Sequence, residues 1–160
     1  MSQLSLFLSV MVASGIPILE VWLAVPAGVV AGLHLVPAVL AGFIGNALTV
    51  LPIILAGDGL RNWWNRRRKP SCPGTRSEGI VENPKARWLI DRFGIPGLAF
   101  LGPFLIGSHI AALAAVAMGS SRKLVLFWFM VSLAVCSLFF GALAEFGVAA
   151  FADPGELPVL

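Results

Sequence analysis

Glycine and proline interrupt every long apolar run in this chain, and in two of the four apolar blocks so heavily that a straight helix is not expected. The blocks are Leu4 to Leu33, Leu35 to Gly57, Phe93 to Gly119 and Leu124 to Phe151. The second and fourth exceed the roughly 20 residues that cross a bilayer and carry no charge in their central part, so each reads as a transmembrane helix. The first contains Gly15, Pro17, Glu20, Pro26, Gly28 and Gly32; the third contains Gly94, Pro96, Gly97, Gly102, Pro103 and Gly107. Proline removes a helix hydrogen bond and clashes with the preceding turn. Broken backbone persists at membrane depth only where it is buried in protein or lines a wet cavity, as in a re-entrant hairpin.

The apolar share is 58% and the mean hydropathy +0.91, too high for a soluble domain, where about half is the usual ceiling. The net charge of +3 does not point to nucleic acid, because the basic residues flank apolar spans, where anionic headgroups lie. The first 60 residues hold no Lys or Arg, the stretch from Arg61 to Arg92 holds nine of the eleven, and Arg122 and Lys123 complete the set. Basic loops stay on the cytoplasmic side. If Phe93 to Gly119 crossed fully, Arg122 and Lys123 would lie opposite the basic loop; if it enters and returns, both clusters share one face. The expected architecture is therefore all-α and membrane-integral, with two opposed re-entrant helical hairpins (4–33 and 93–119), each followed by a transmembrane helix (35–57 and 124–151). Residues 58–92 form the cytoplasmic connector. The alternative is that both broken blocks are kinked full spans.

Within the connector, Arg61, Trp63, Trp64, Arg66, Arg67 and Arg68 suit contact with lipid headgroups. The stretch from Lys69 to Glu82 reads as a loop. Asn83 and Pro84 then supply a helix start, with Ala86, Leu89, Ile90 and Phe93 on one face of a short surface helix. Gly15-Ile16-Pro17 recurs as Gly94-Ile95-Pro96, a weak internal repeat consistent with two units of opposite topology. No basic region precedes the apolar stretch that starts at Leu4, which argues against a cleaved signal peptide. Cys72 and Cys136 have neither metal-ligand spacing nor a disulfide framework.

Ionisable residues inside a membrane are functional candidates by default. Glu20, between Pro17 and Pro26, suits a proton or a cation; its bland reading is a hydrogen-bonded structural carboxyl. His109, next to Ser108 and after Pro103 and Gly107, carries an imidazole, the side chain whose ordinary titration suits a proton relay; its alternative is a neutral ring on a backbone carbonyl. Asn46 can satisfy backbone groups that the prolines free or touch substrate, and His34 at a membrane edge reads as structural. Ser137, Gly141 and Glu145 share a helix face, and Glu145 marks either a polar site or merely the helix end. Ala38, Gly42, Gly45 and Thr49 make a small-residue stripe, whose commoner meaning is close packing. No phosphate-binding loop, nucleophile elbow or metal-ligand cluster is present in the sequence, so no enzyme activity, cofactor or metal is expected.

The segment Ile16-Pro17-Ile18-Leu19-Glu20-Val21-Trp22-Leu23-Ala24-Val25-Pro26-Ala27-Gly28 resembles the opening signature of the small multidrug export protein family. Gly45-Asn46 and Phe93-Gly94-Ile95-Pro96-Gly97-Leu98, with Pro103 and Gly107, follow in the family's order, over roughly residues 14 to 141. The resemblance extends to the DedA, or VTT, membrane proteins, and implies the two-hairpin architecture and a bacterial inner-membrane location. Trp22 stands where a basic residue is common, and the Arg typical of the second DedA hairpin is missing around Pro103. The implied function is a small transporter or exporter coupled to the proton gradient. A DedA-like lipid translocase and a non-transporting membrane subunit are the alternatives. Implied partners are membrane lipids, a small-molecule or lipid substrate and, through the glycine stripes, further copies of the chain, with no nucleic acid.

Overall fold

A computed structural model describes residues 2–67, 84–118 and 120–151. The described elements are helices: α1 (Gln3–Ser14), α2 (Glu20–Val30), α3 (Leu35–Arg67), α4 (Pro84–Leu105), α5 (Ser108–Ala117) and α6 (Arg122–Phe151). Two are long and apolar enough to cross a membrane, α3 over Leu35–Ala56 and α6 over its whole length. The outer face of α6 presents Leu138, Phe139, Leu143 and Phe146, each between 56% and 75% exposed. So continuous an apolar surface would drive aggregation in water and is stable against lipid.

The chain falls into two compact units, Met1–Ala47 with Leu133–Leu160, and Leu48–Ser132. In the first unit α1 and α2 form an antiparallel hairpin: Gln3 Nε2 donates to Gly32 O at 2.8 Å, joining the start of one helix to the end of the other, and Gly28 lies against Val10. Val21, Ala24, Val25, Gly28 and Val29 are the buried face of α2, spaced for one side of a helix. A Schellman pair closes it, Gly32 N–H on Val29 O and Leu33 N–H on Gly28 O, both at 2.9 Å, with Leu33 buried beneath. The small-residue stripe then brings α3 onto this hairpin: Gly42 abuts Val25, and Gly45 abuts the Met11 carbonyl oxygen and Ser14 Oγ. From α6, Gly141 faces Val39, Leu35 and Val25.

The second unit repeats the theme with different residues. Its core is Val50, Ile54, Leu89, Ile95, Leu98, Ala99, the alanines of α5, Val125 and Phe129. Here α4 bends sharply at Gly94, whose φ of 66° and ψ of −160° are close to glycine-only backbone. The chain then reverses between α4 and α5 in two residues. Ile106 and Gly107 N–H both reach Gly102 O, and Gly107 takes φ 90° so that α5 starts at once.

Pro26 lies within α2 and Pro103 within α4 without ending either helix. The reason is visible at Pro103. Its missing N–H would have bonded Ala99 O, four residues earlier, and Ser132 Oγ donates to that carbonyl instead, at 2.7 Å in a buried site. Ser132→Ala is therefore expected to lower stability by about 1–3 kcal/mol, the cost of an unsatisfied buried acceptor. Pro103→Ala restores the N–H, so in that background the serine change should cost much less. A double-mutant cycle of unfolding midpoints measures the coupling, and additive effects would refute the substitution of one donor for another.

One sequence expectation is corrected by the fold. Gly15-Ile16-Pro17 occupies the tip between α1 and α2, whereas Gly94-Ile95-Pro96 stands at the bend where α4 enters its hairpin. The matched residues are thus not equivalent: Gly15 keeps φ −76° and Gly94 is at φ 66°. The first span, Leu35–Ala56, lies where the sequence puts it, and helix α3 itself continues beyond it to Arg67; a nucleated helix propagates past isolated glycines at about 1 kcal/mol each. Helix α4 does start at Pro84; along it Leu89 is buried and Phe93 is 50% exposed. It meets Trp88 edge-on at 5.8 Å. The side chains of Arg61, Trp63, Trp64, Arg66, Arg67, Ala86 and Ile90 lie outside the described set, as do Arg68, the stretch from Lys69 to Glu82, and Asn83.

Candidate functional site

Each unit sets its chemistry-bearing residues where the second leg of its hairpin begins. In the first unit the chain turns over Gly15 to Leu19, with Leu19 and Glu20 N–H both donating to Ile16 O at 3.1 Å. Glu20 is the first residue of α2, 1% exposed. It has a φ of 36°, the one positive value among the described non-glycine residues. A side chain in that region costs about 1–3 kcal/mol, and such strain concentrates at functional sites. A buried acidic group on strained backbone is a poor choice for stability alone.

Asn46 is fully buried. Its neighbour Gly45 rests on Met11 and Ser14, at the C-terminal turn of α1, so Asn46 stands level with the hairpin tip where Glu20 opens α2. Ser14 and Ser137 are also fully buried in this unit. Ser14 Oγ donates to Met11 O at 3.0 Å. Glu20 Oε2, Asn46 Nδ2 and Ser137 Oγ are buried atoms without a hydrogen bond, while Glu20 and Asn46 are engaged through other interactions. Ser137, Gly141 and Glu145 grade outward along α6, the first two buried and Glu145 half-buried. His34 is exposed in the turn between α2 and α3.

An apolar cleft of about 320 Å³ runs between α1 and α2, at the lower end of the sizes that hold small molecules. Leu6, Val10, Leu23, Ala24 and Ala27 line it, Ser9 supplies its polar side chain, and Leu19, the residue before Glu20, closes one part.

In the second unit Ser108 and His109 open α5. Ser108 is fully buried and His109 half-buried. The imidazole is held on both sides: Nε2 shares a hydrogen bond with Thr49 Oγ1 at 2.9 Å, and Nδ1 one with Ser108 Oγ at 3.2 Å. Sequence reasoning counts Thr49 only as a member of the small-residue stripe and passes over Ser132. A hydroxyl one turn beyond Asn46 on the inward side of α3 is the available clue to the first. Proline at position 103 is the clue to a donor like the second. Glu20, Asn46, Ser137 and Glu145 belong to the first unit, and Thr49, Ser108 and His109 to the second.

Among the described residues no group of three or more His, Cys, Asp or Glu is placed to hold a metal ion. No curated protein and no solved structure gives a significant match to the chain. A protein family does match: residues 20–139 fit the one described as "Putative small multi-drug export protein", a stretch that begins at Glu20, just after the first hairpin tip, and takes in the second. With two apolar helices of spanning length and a match over most of its length, the chain is a membrane protein that belongs to the small multi-drug export protein family.

Proposed function

We propose that this protein is a proton-coupled exporter of small lipophilic cations, working from re-entrant hairpins in the bacterial inner membrane. The observation that carries the reading is Glu20, an acidic side chain 1% exposed at strained backbone, next in sequence to Leu19, which lines an apolar cleft. Such a carboxylate is stable at depth only with a proton or a counter-cation. Exchange of one for the other is the elementary step of antiport. The cleft supplies apolar contact for the remainder of a lipophilic cation.

The lengths of the hairpin legs support re-entry. Helices α1, α2 and α5 have 12, 11 and 10 residues, about 15–18 Å at 1.5 Å per residue, roughly half the hydrocarbon thickness. A leg of that length reaches the middle of the membrane and must turn back. Inverted-topology repeats with sites at the midplane are built this way, and the DedA-like arrangement fits the same lengths.

A second reading, lipid translocation, draws on the lining of the cleft, apolar apart from Ser9, which would also hold an acyl chain. Purified protein in liposomes separates the two. An imposed pH gradient should drive accumulation of tetraphenylphosphonium and stop on adding a protonophore, while fluorescent lipid in the same vesicles stays in its leaflet. Lipid exchange without cation movement would replace exporter by translocase; the absence of both would leave a non-transporting subunit.

A further inference from the structure

We infer that Thr49, His109 and Ser108 form a second proton-binding station, in which the Thr49 hydroxyl is the positioning group that keeps the imidazole competent in every protonation state. The inference deepens the proton-coupled reading and rests on it for its transport consequence, but the station itself is a property of the second unit alone.

A hydroxyl donates one hydrogen bond and accepts others, and it rotates to suit its neighbour. With Thr49 Oγ1 at 2.9 Å from Nε2 and Ser108 Oγ at 3.2 Å from Nδ1, the ring has such a partner on each side. If Nδ1 carries the proton, it donates to Ser108 and Nε2 accepts from Thr49. If Nε2 carries it, both roles reverse. When a proton from water is added, both nitrogens donate, both hydroxyls accept, and the ring keeps a partner on each side. An imidazole bonded to a backbone carbonyl on one side has no such freedom, because a carbonyl only accepts.

The partners come from different places. Ser108 is adjacent in sequence, so its contact follows from the start of α5. Thr49 is 60 residues away, so its contact exists only because α3 passes the tip of this hairpin. Thr49 thereby fixes the ring plane. The other charged residues described on α4 and α6 of this unit lie toward the base of the hairpin or beyond. Lys85, Asp91 and Arg92 precede the bend of α4, and Arg122 and Lys123 open α6 after α5 has ended. The legs between place them about 15 Å from the tip along the helix axes. Asp58 and Arg61 follow Thr49 by more than two turns of α3. At the tip the two hydroxyls lie at contact distance of the ring, and those charges are remote.

The chain has two histidines, so a His34→Gln background leaves one imidazole for nitrogen NMR in lipid nanodiscs. The full-length protein should show a hydrogen-bonded ring that takes up a proton reversibly on acidification. Thr49→Val, close in shape but lacking the hydroxyl, should displace the Nε2 resonance, lower proton-driven flux about tenfold, the equivalent of one ordinary hydrogen bond, and flatten its pH profile. Thr49→Ser should restore both resonance and flux. An unmoved Nε2 signal in Thr49→Val would show that the contact is not made, and an altered signal with unchanged flux and pH profile would reduce the trio to a structural clasp; either overturns the inference. If the wild-type protein moves no solute, the titration still decides: reversible protonation with both hydrogen bonds kept sustains the station, and a ring that stays neutral throughout removes it. The same wild-type titration serves if Thr49→Val does not fold.

Discussion

Glu20→Gln is expected to abolish gradient-driven transport while the protein still folds, because the amide keeps the shape of the carboxyl and loses only the capacity to bind and release a proton. Backbone strain makes the position more informative than a single substitution would be. At φ 36° glycine is at ease, glutamine bears the same strain as the native residue, and a β-branched residue is a marked outlier. Stability should therefore follow the backbone. Glu20→Gly should fall within about 1 kcal/mol of the parent, its relief of roughly 1–3 kcal/mol offset by lost packing and greater chain entropy. Glu20→Val should be the least stable of the three. Transport should follow the carboxyl, absent in all three and partly kept in Glu20→Asp. Apparent unfolding midpoints and flux, measured on the same four preparations, give two orderings that a purely architectural Glu20 could not separate. Wild-type flux and pH dependence in Glu20→Gln would end its role in coupling.

The largest effect on stability is expected at Gly45. A methyl group there would meet the Met11 carbonyl oxygen and Ser14 Oγ, and the carbonyl belongs to helix backbone, which cannot swing aside as a side chain can. Either α3 backs away from α1 or the last turn of α1 unwinds, which also disturbs the bond from Ser14 Oγ to Met11 O. Overpacking of a tight core costs about 1–3 kcal/mol and more where backbone must move, so Gly45→Ala should lie at or above the top of that range. Gly147 is the internal control. A methyl group at that position would have nothing within 4 Å, and in a helix alanine is favoured over glycine by roughly 1 kcal/mol, so Gly147→Ala should be neutral or stabilising. Equal midpoints for the two variants would contradict the close approach of α1 and α3.

How much of this was legible depended on whether the cause was local. The alternation of broken and long apolar blocks follows from residue types alone, and α3 and α6 fall where it puts them. Small residues at Gly42 and Gly45 announce a close contact, and the contact is there. Glu20 and His109 stand out because an ionisable residue in an apolar run is conspicuous; what holds them is not. The partnership of Thr49 with His109 and of Ser132 with Ala99 joins residues far apart in sequence, and no local periodicity encodes either. The repeated Gly-Ile-Pro misleads for a related reason. The same three residues serve as a hairpin tip in one place and a helix bend in the other, and neighbouring packing decides which. Pro26 and Pro103 suggest breaks, yet the helices run through them, at Pro103 because a serine from α6 takes over the lost bond.

The central claim of the proposed reading is that the α4–α5 hairpin returns to the side of the membrane from which it came. Cysteine labelling tests it most directly. With Cys72 and Cys136 replaced, single cysteines at Ser77 and at Ser120 are exposed in turn to a membrane-impermeant thiol reagent, in intact cells and in inverted vesicles. Re-entry places both basic clusters on the cytoplasmic face, so both positions should react in inverted vesicles and neither in intact cells. Labelling of Ser120→Cys in intact cells, with Ser77→Cys still confined to inverted vesicles, would mean that the segment crosses the membrane and would contradict the account.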